Sequence, residues 1–364
     1  MRIAASLVLA AAIGLAAPAS SPGEPEIHPD GRVTFRLTAP DARAVVLLFE
    51  SDAPVAMARD ERGVWSSTTG AKSPDIYSYG FLIDGVPALD PANPQIKFNL
   101  LSSRSEVRVP GPATLPWEIN EVPHGVVHRH FYKSAIVGDQ RDFLVYTPPG
   151  YDPAAKRPYP TLYLLHGFSD DATAWSTTGR ANVILDNLIA RGEARPMLVV
   201  MPLGYGVWDI LAGGYGAPRR PELWDANARK FGDSLLREVI PQVEKLYRVS
   251  ADRENRAIAG LSMGGAQSLT IGLGHLDRFA WIGGFSSGEY SPDFRDLGKG
   301  VNARLHLLWI ACGQDDFLFQ QNKTLHESLA AHGVNHVWHP TPGIHNFPVW
   351  RRDLAEFVPL LFRN

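Results

Sequence analysis

Arg256-Ala-Ile-Ala-Gly-Leu-Ser262-Met-Gly-Gly265-Ala-Gln-Ser-Leu-Thr-Ile271 is the stretch on which the reading of this chain turns. Its first four residues form a short run of the buried-strand type, and the residues from Gly265 onward read as a helix. Gly260-Leu-Ser262-Met-Gly264 lies at the junction and fits G-x-S-x-G. The flanking glycines permit a sharp strand-to-helix turn that lifts the serine out at the top of a sheet, where larger side chains would collide. Ser262 is the candidate nucleophile.

A serine hydroxyl needs a base to take its proton and a carboxylate to orient that base. In a fold with this turn the chain order is serine, acid, histidine. Downstream stand His275, His306, His326, His332, His336, His339 and His345. His345 lies in a turn after the strand-like run His336–His339 and before a terminal helix near Trp350, which is where the base belongs. His339 is its rival. His306 falls in an expected buried strand and reads as a core residue, while His326 and His332 fall on an expected helix and read as solvated. The acid is expected in the loop after the strand ending at Ala311, where Asp315 and Asp316 are adjacent, and spacing does not choose between them. Either one alone would more often cap a helix before Leu318 than act in catalysis.

Outward from this stretch, apolar runs at 142–146, 161–165, 197–201, 281–285 and 305–310 alternate with helical stretches. Continuous apolar strands suit a sheet covered on both faces, so residues 131–364 are expected to form a doubly wound, mainly parallel α/β sheet. The clearest helix runs from Phe231 to Tyr247, with Pro241 expected to kink or break it. Residues 25–110 read differently. Val33–Leu37 alternates, Ala44–Phe49 is an apolar run, and Ile76–Ile83 ends at the turn pair Asp84-Gly85, which together indicate a small all-β sandwich. Between the two parts, residues 111–130 are rich in Pro and Gly and read as linker.

Residues 1–19 combine Arg2, an apolar run and Ala17-Pro18-Ala19, the pattern of a cleaved signal peptide, so export to the periplasm or the medium is expected. The 364-residue chain carries 35 basic and 38 acidic residues, a net charge of −3 that gives no reason to expect nucleic acid as partner. No stable membrane insertion is expected after signal cleavage. The single cysteine, Cys312, excludes an internal disulfide and a thiolate cluster, and no H-E-x-x-H occurs, so no metal is expected. Gly204-Tyr-Gly206 and Gly213-Gly-Tyr-Gly216 do not form a dinucleotide fingerprint, and no cofactor is expected. Those glycines are expected to form a loop over the site, with Trp175 and Trp208 contacting substrate. Tyr205, Trp208, Tyr215 and Trp224 there outnumber the cations Arg219 and Arg220.

Tyr163-Leu-Leu-His166-Gly167, Asp252–Gly265, Cys312-Gly-x-x-Asp316 and Gly343-x-His345-x-Phe347-x-x-Trp350 together resemble the feruloyl and acetyl-xylan esterase branch of the esterase D family, which also includes siderophore esterases and mycolyl transferases. The resemblance implies an α/β-hydrolase fold, selects Asp316 as the acid and His345 as the base, and assigns the backbone N–H groups of Phe168 and Met263 to an oxyanion hole. It implies no cofactor. The favoured substrates are feruloyl or acetyl esters of plant cell-wall polysaccharide. The alternatives are a siderophore or another small ester, and a non-catalytic glycan-binding protein that keeps the fold. Pro74–Tyr79 and Leu89-Asp-Pro91-x-Asn93-Pro94 resemble the early-set immunoglobulin-like modules that precede many carbohydrate esterases.

Overall fold

The computed structural model describes residues 24–50, 52–216, 220–288 and 300–363. The expected signal peptide and Arg219 lie outside them. Residues 26–109 form two antiparallel sheets. One orders the strands Glu26–Ile27, Val33–Thr38, Val64–Thr68 and Ala58–Arg59. The other orders Val55–Ala56, Val45–Phe49, Asp75–Ile83, Arg104–Val109 and Ile96–Lys97, with Val86–Ala88 paired to the central strand. Alternating side chains of both sheets meet in one core, in which Phe35, Phe49, Tyr79, Phe81 and Val107 are buried. Leu89–Pro94 forms a polar knot beside this core. Tyr79 Oη donates to Asp90 at 2.6 Å, and Asn93 Nδ2 donates to Tyr79 Oη at 2.9 Å and to the Glu106 carbonyl at 2.7 Å.

The remaining strands make one eight-stranded mixed sheet. They are β1 (Val126–Lys133), β2 (Gln140–Thr147), β3 (Thr161–Leu165), β4 (Leu198–Pro202), β5 (Arg256–Leu261), β6 (Trp281–Phe285), β7 (Leu307–Gly313) and β8 (Val337–Thr341). Their spatial order is β1-β2-β4-β3-β5-β6-β7-β8, antiparallel for β1 against β2 and β2 against β4, and parallel from β4 to β8. Every residue of β3, β4, β5 and β6 is buried, because helices cover both faces of the centre. The helices are α1 (Ala181–Ala190), α2 (Pro221–Ser234), α3 (Ile240–Leu246), α4 (Met263–Gly274), α5 (Val301–Arg304), α6 (Phe319–Ala331) and α7 (Phe347–Phe357).

Three expectations need correction. The helix expected at Phe231 begins ten residues earlier at Pro221, and a π-helical turn at Leu235–Val239 joins α2 to α3. Pro241 has no N–H and its ring crowds the preceding turn, so the widened turn takes up the mismatch instead of a break. The stretch expected as linker is packed: Trp117 and Glu118 are buried, Asn187 Nδ2 donates to the carbonyls of Pro116 and Glu118, and β1 starts at Val126. His306 is exposed rather than in the core, because β7 starts one residue after it; its ring stacks on Trp281 and its Nε2 meets Glu254.

The two antiparallel sheets join the larger sheet through a buried ion pair. Arg351 of α7 donates to one Asp75 oxygen through Nε at 3.0 Å and Nη2 at 2.7 Å, and to the carbonyls of Ile76 and Thr178 at 2.5 Å each. Four hydrogen bonds satisfy a cation that has no exposed surface.

Candidate active site

Between β5 and α4, Ser262 holds φ 52° and ψ −115°, a backbone state that non-glycine residues rarely adopt. The turn is tight enough to dictate its neighbours. A Cβ on Gly260 would lie 2.6 Å from the Gly264 backbone, and one on Gly264 would lie 2.5 Å from the His166 carbonyl oxygen. Strand pairing anchors the turn, since the Ser262 amide donates to the Phe285 carbonyl at 2.9 Å and the Ser262 carbonyl accepts from Gly288 at 2.9 Å. The strain is thereby held in place, and the serine stands just past the C-terminal end of the central strand β5.

His345 lies between β8 and α7, and Asn346 next to it caps α7 through its side-chain oxygen. His345 Nε2 is 3.0 Å from Ser262 Oγ, and its Nδ1 is 2.8 Å from Asp316 Oδ2. Because an ionised carboxylate only accepts, the ring proton sits on Nδ1 and leaves Nε2 free to accept from the serine. Asp316 follows β7, and its other oxygen accepts from the Leu318 amide at 2.8 Å. Burial alone would raise its carboxyl, but hydrogen bonds from His345, Leu318 and Ser286, with the pull of the imidazole, outweigh it and hold the group below the usual range. Phe317 lies against the His345 ring at 4.6 Å, and Trp350 meets it edge-on at 4.9 Å while donating Nε1 to Ser286 Oγ at 3.1 Å. Asp315 is exposed, and His339 pairs with Glu356 at 2.7 Å and packs against the Trp309 ring. Geometry separates both rivals from the serine.

Met263 is the first residue of α4, so its N–H has no acceptor within the helix and points with the positive end of the helix dipole. Gly167 comes close to the serine from the other side, since a Cβ built on it would lie 3.5 Å from Ser262 Cβ. Phe168 is the next residue and lines the same cavity as Ser262 and Met263. That cavity has a volume of about 590 Å³. Its apolar walls include Phe168, Trp224, Leu236, Ile271 and Phe317, and its charged groups are Asp225, Asp233 and Arg229. Ser262, hydrogen-bonded to His345, thus shares an aromatic-walled hollow with Phe168 and Met263, an arrangement suited to acyl transfer.

The Esterase family model matches residues 134–361 of the chain. The chain belongs to the Esterase family. A relative from Xylanibacter ruminicola, described as an endo-1,4-beta-xylanase/feruloyl esterase, is 32% identical over 95% of this chain, which spans 47% of that protein's length. An acetyl esterase from Caldicellulosiruptor saccharolyticus is 25% identical, over 54% of this chain and 80% of its own. Among solved structures, a ferulic acid esterase from Anaeromyces mucronatus in complex with ferulic acid superposes with a TM-score of 0.60 at 25% identity, covering 69% of this chain and 96% of its own. The enterobactin esterase of Shigella flexneri reaches a TM-score of 0.68 over 90% of this chain and 92% of its own; at 20% identity this shows a shared fold. The relatives and neighbours matched are described as esterases.

Two aromatic residues expected to touch substrate do not line the cavity of this esterase. Trp175 is fully buried, donates Nε1 to the Leu165 carbonyl at 2.9 Å and packs against Phe285 and Phe347. Trp208 stacks on Tyr205 at 5.0 Å and donates to Asp139 at 2.6 Å on the outside of the loop. Trp224 and Phe317 take their place on the wall. No pattern in the sequence singles out Phe317 beyond its position directly after the candidate acid. His166 is structural, its Nε2 accepting from the Gly204 amide at 2.8 Å. Among the described residues no cluster fit to hold a metal ion occurs, and no helix is long and apolar enough to cross a membrane.

Proposed function

We propose that this esterase is a serine carboxylic-ester hydrolase in which Ser262, His345 and Asp316 act as a triad. The observation that carries the reading is the unbroken line from Ser262 Oγ, in the cavity wall, through His345 to Asp316, at 3.0 and 2.8 Å. Ser262 Oγ attacks the ester carbonyl carbon while His345 Nε2 takes the hydroxyl proton. The Phe168 and Met263 amides bind the oxyanion, and His345 passes the proton to the departing alkoxide. Water then attacks the acyl-serine with His345 again as base, releasing the acid and restoring Ser262.

The favoured substrates are feruloyl or acetyl esters of plant cell-wall xylan. Supporting this are the description of the Xylanibacter relative and a cavity whose walls carry Phe168, Trp224 and Phe317 with one arginine against two aspartates. A planar hydroxycinnamate gains from aromatic walls, whereas a polyanionic ferric catecholate needs clustered cations. A siderophore-type ester is the second reading, favoured by the likeness to the enterobactin esterase fold over 90% of the chain. A non-catalytic glycan-binding role is disfavoured by the intact set of three side chains. The reading includes an exported protein, cleaved near Ser20, with an early-set immunoglobulin-like unit at about 25–110 ahead of the hydrolase unit.

The test is fluorophosphonate labelling followed by a substrate panel. Ser262 should be the modified residue, and Ser262→Ala should fold normally yet lose about 10⁴-fold or more in kcat. Activity of that variant within tenfold of the parent would overturn the triad. A tenfold preference for a catecholate trilactone over methyl ferulate would replace the first substrate reading with the second.

A further inference from the structure

Between β3 and α1, the turn Gly167–Asp170 carries the Phe168 amide, and the Asp170 amide closes it on the Gly167 carbonyl at 3.3 Å. Its third residue, Ser169, has φ 68°, in the left-handed region where such a turn ordinarily places glycine. A serine held there is strained, and the strain persists only where surrounding contacts over-determine it. Those contacts come from outside the hydrolase sheet. Asn99 Nδ2, in the loop between Ile96–Lys97 and Arg104–Val109, donates to Ser169 Oγ at 2.9 Å and to Asp170 Oδ1 at 3.1 Å. The neighbouring Leu100 amide donates to the Ser169 carbonyl at 2.8 Å. Asn99 is itself locked, because its Oδ1 accepts from the Leu101 and Ser102 amides at 3.0 Å each and from Tyr215 Oη at 3.1 Å. Tyr215 Oη also lies 2.5 Å from Ser169 Oγ, which ties in the loop at 214–216.

We propose that Asn99 is a positioning residue for the oxyanion hole, so that the N-terminal β-sheet unit completes the active site. It holds the strained turn by its side chain and thereby fixes where the Phe168 N–H points. The inference rests on the proposed triad and its oxyanion donors. An oxyanion donor acts mainly in the transition state, so its misplacement lowers kcat and leaves KM nearly unchanged.

The experiment compares the full-length parent with Asn99→Ala, Ser169→Ala and the double variant. Hydrolysis of methyl ferulate and p-nitrophenyl acetate is followed, together with the rate and final extent of fluorophosphonate labelling. Asn99→Ala should lower kcat on both esters by about tenfold or more with KM within about threefold, and should slow labelling while leaving its extent complete. Ser169→Ala removes the same contact from the other partner, and the double variant should lose less than the product of the two single losses. Unchanged kcat, a rise in KM alone, or a fall in labelling extent at an unchanged rate would overturn the proposal. Should Asn99→Ala fail to fold, Ser169→Ala alone decides by the same criteria. Labelling of the parent at Ser262 tests the triad separately, so a negative result for Asn99 leaves that reading standing.

Discussion

The Gly204 amide donates to Nε2 of His166 at 2.8 Å, while Nδ1 of the same ring donates to the Gly167 carbonyl at 2.8 Å. A carbonyl only accepts, so the imidazole is neutral with its proton on Nδ1. Burial pushes its pKa down from 6.5 to about 4. Three residues beyond Gly167, burial raises Asp170 from 3.8 to about 6.

These two shifts set opposite slopes of stability against pH. His166 takes up a proton more readily when unfolded, so its contribution is complete above pH 6.5 and is lost as pH falls toward 4. Asp170 holds a proton more tightly when folded, so its contribution is complete below pH 3.8 and is lost as pH rises through about 6. Asp170→Asn should therefore become steadily more stable relative to the parent as pH rises from 4 to 6. His166→Gln should become so as pH falls from 6.5 to 4. Denaturant midpoints across that window check both, and a common sign of slope for the two differences would refute the assignment.

Asp316→Asn is expected to lower kcat by about 10⁴-fold, because an amide no longer enforces the Nδ1–H tautomer or stabilises the imidazolium. Asp315→Asn, at an exposed position whose amide bonds only the Gly343 carbonyl, should stay within about threefold. Steady-state kinetics of the two variants on p-nitrophenyl acetate decide the matter. A reversed ranking would move the acid by one residue.

Trp224→Ala should cut kcat/KM for methyl ferulate by about tenfold, the worth of one aromatic contact, and change that for an acetate ester by less than about threefold. The indole is part of the cavity wall and packs against Phe168 at 5.4 Å. An equal loss on both esters would point to damage at Phe168 instead of lost stacking.

How much of this could be read beforehand depended on how local the physical constraint is. The Ser262 turn was legible because Gly260 is demanded by a local clash with the backbone of Gly264, while Gly264, which meets the His166 carbonyl, falls in the same short run of sequence. The strands β3 and β5 were legible for a similar reason, since burial on both faces forces unbroken apolar runs. The inward turn of Trp175 is not legible, because nothing in its neighbourhood says which way a loop folds; β3, ten residues away, offers the carbonyl that holds the indole inside. The segment at 111–125 looked like linker by its prolines, yet Asn187 of α1 draws the chain around Trp117 into the fold. Asn99 lay beyond any sequence pattern, because its partners Ser169 and Tyr215 come from distant loops.

The buried pairing of Arg351 with Asp75 bears on how such proteins can be recombined during evolution. A hydrolase unit moved to a new neighbour would carry the guanidinium of α7 with it and leave the counter-charge behind. Stranding a buried cation in this way costs about 3–5 kcal/mol, a large part of the stability of an ordinary domain. Descendants that exchange the front sheets must therefore supply a carboxylate at the same depth or give up the arginine. The two units are therefore expected to be inherited as a pair, and their joint to drift more slowly than the cavity walls.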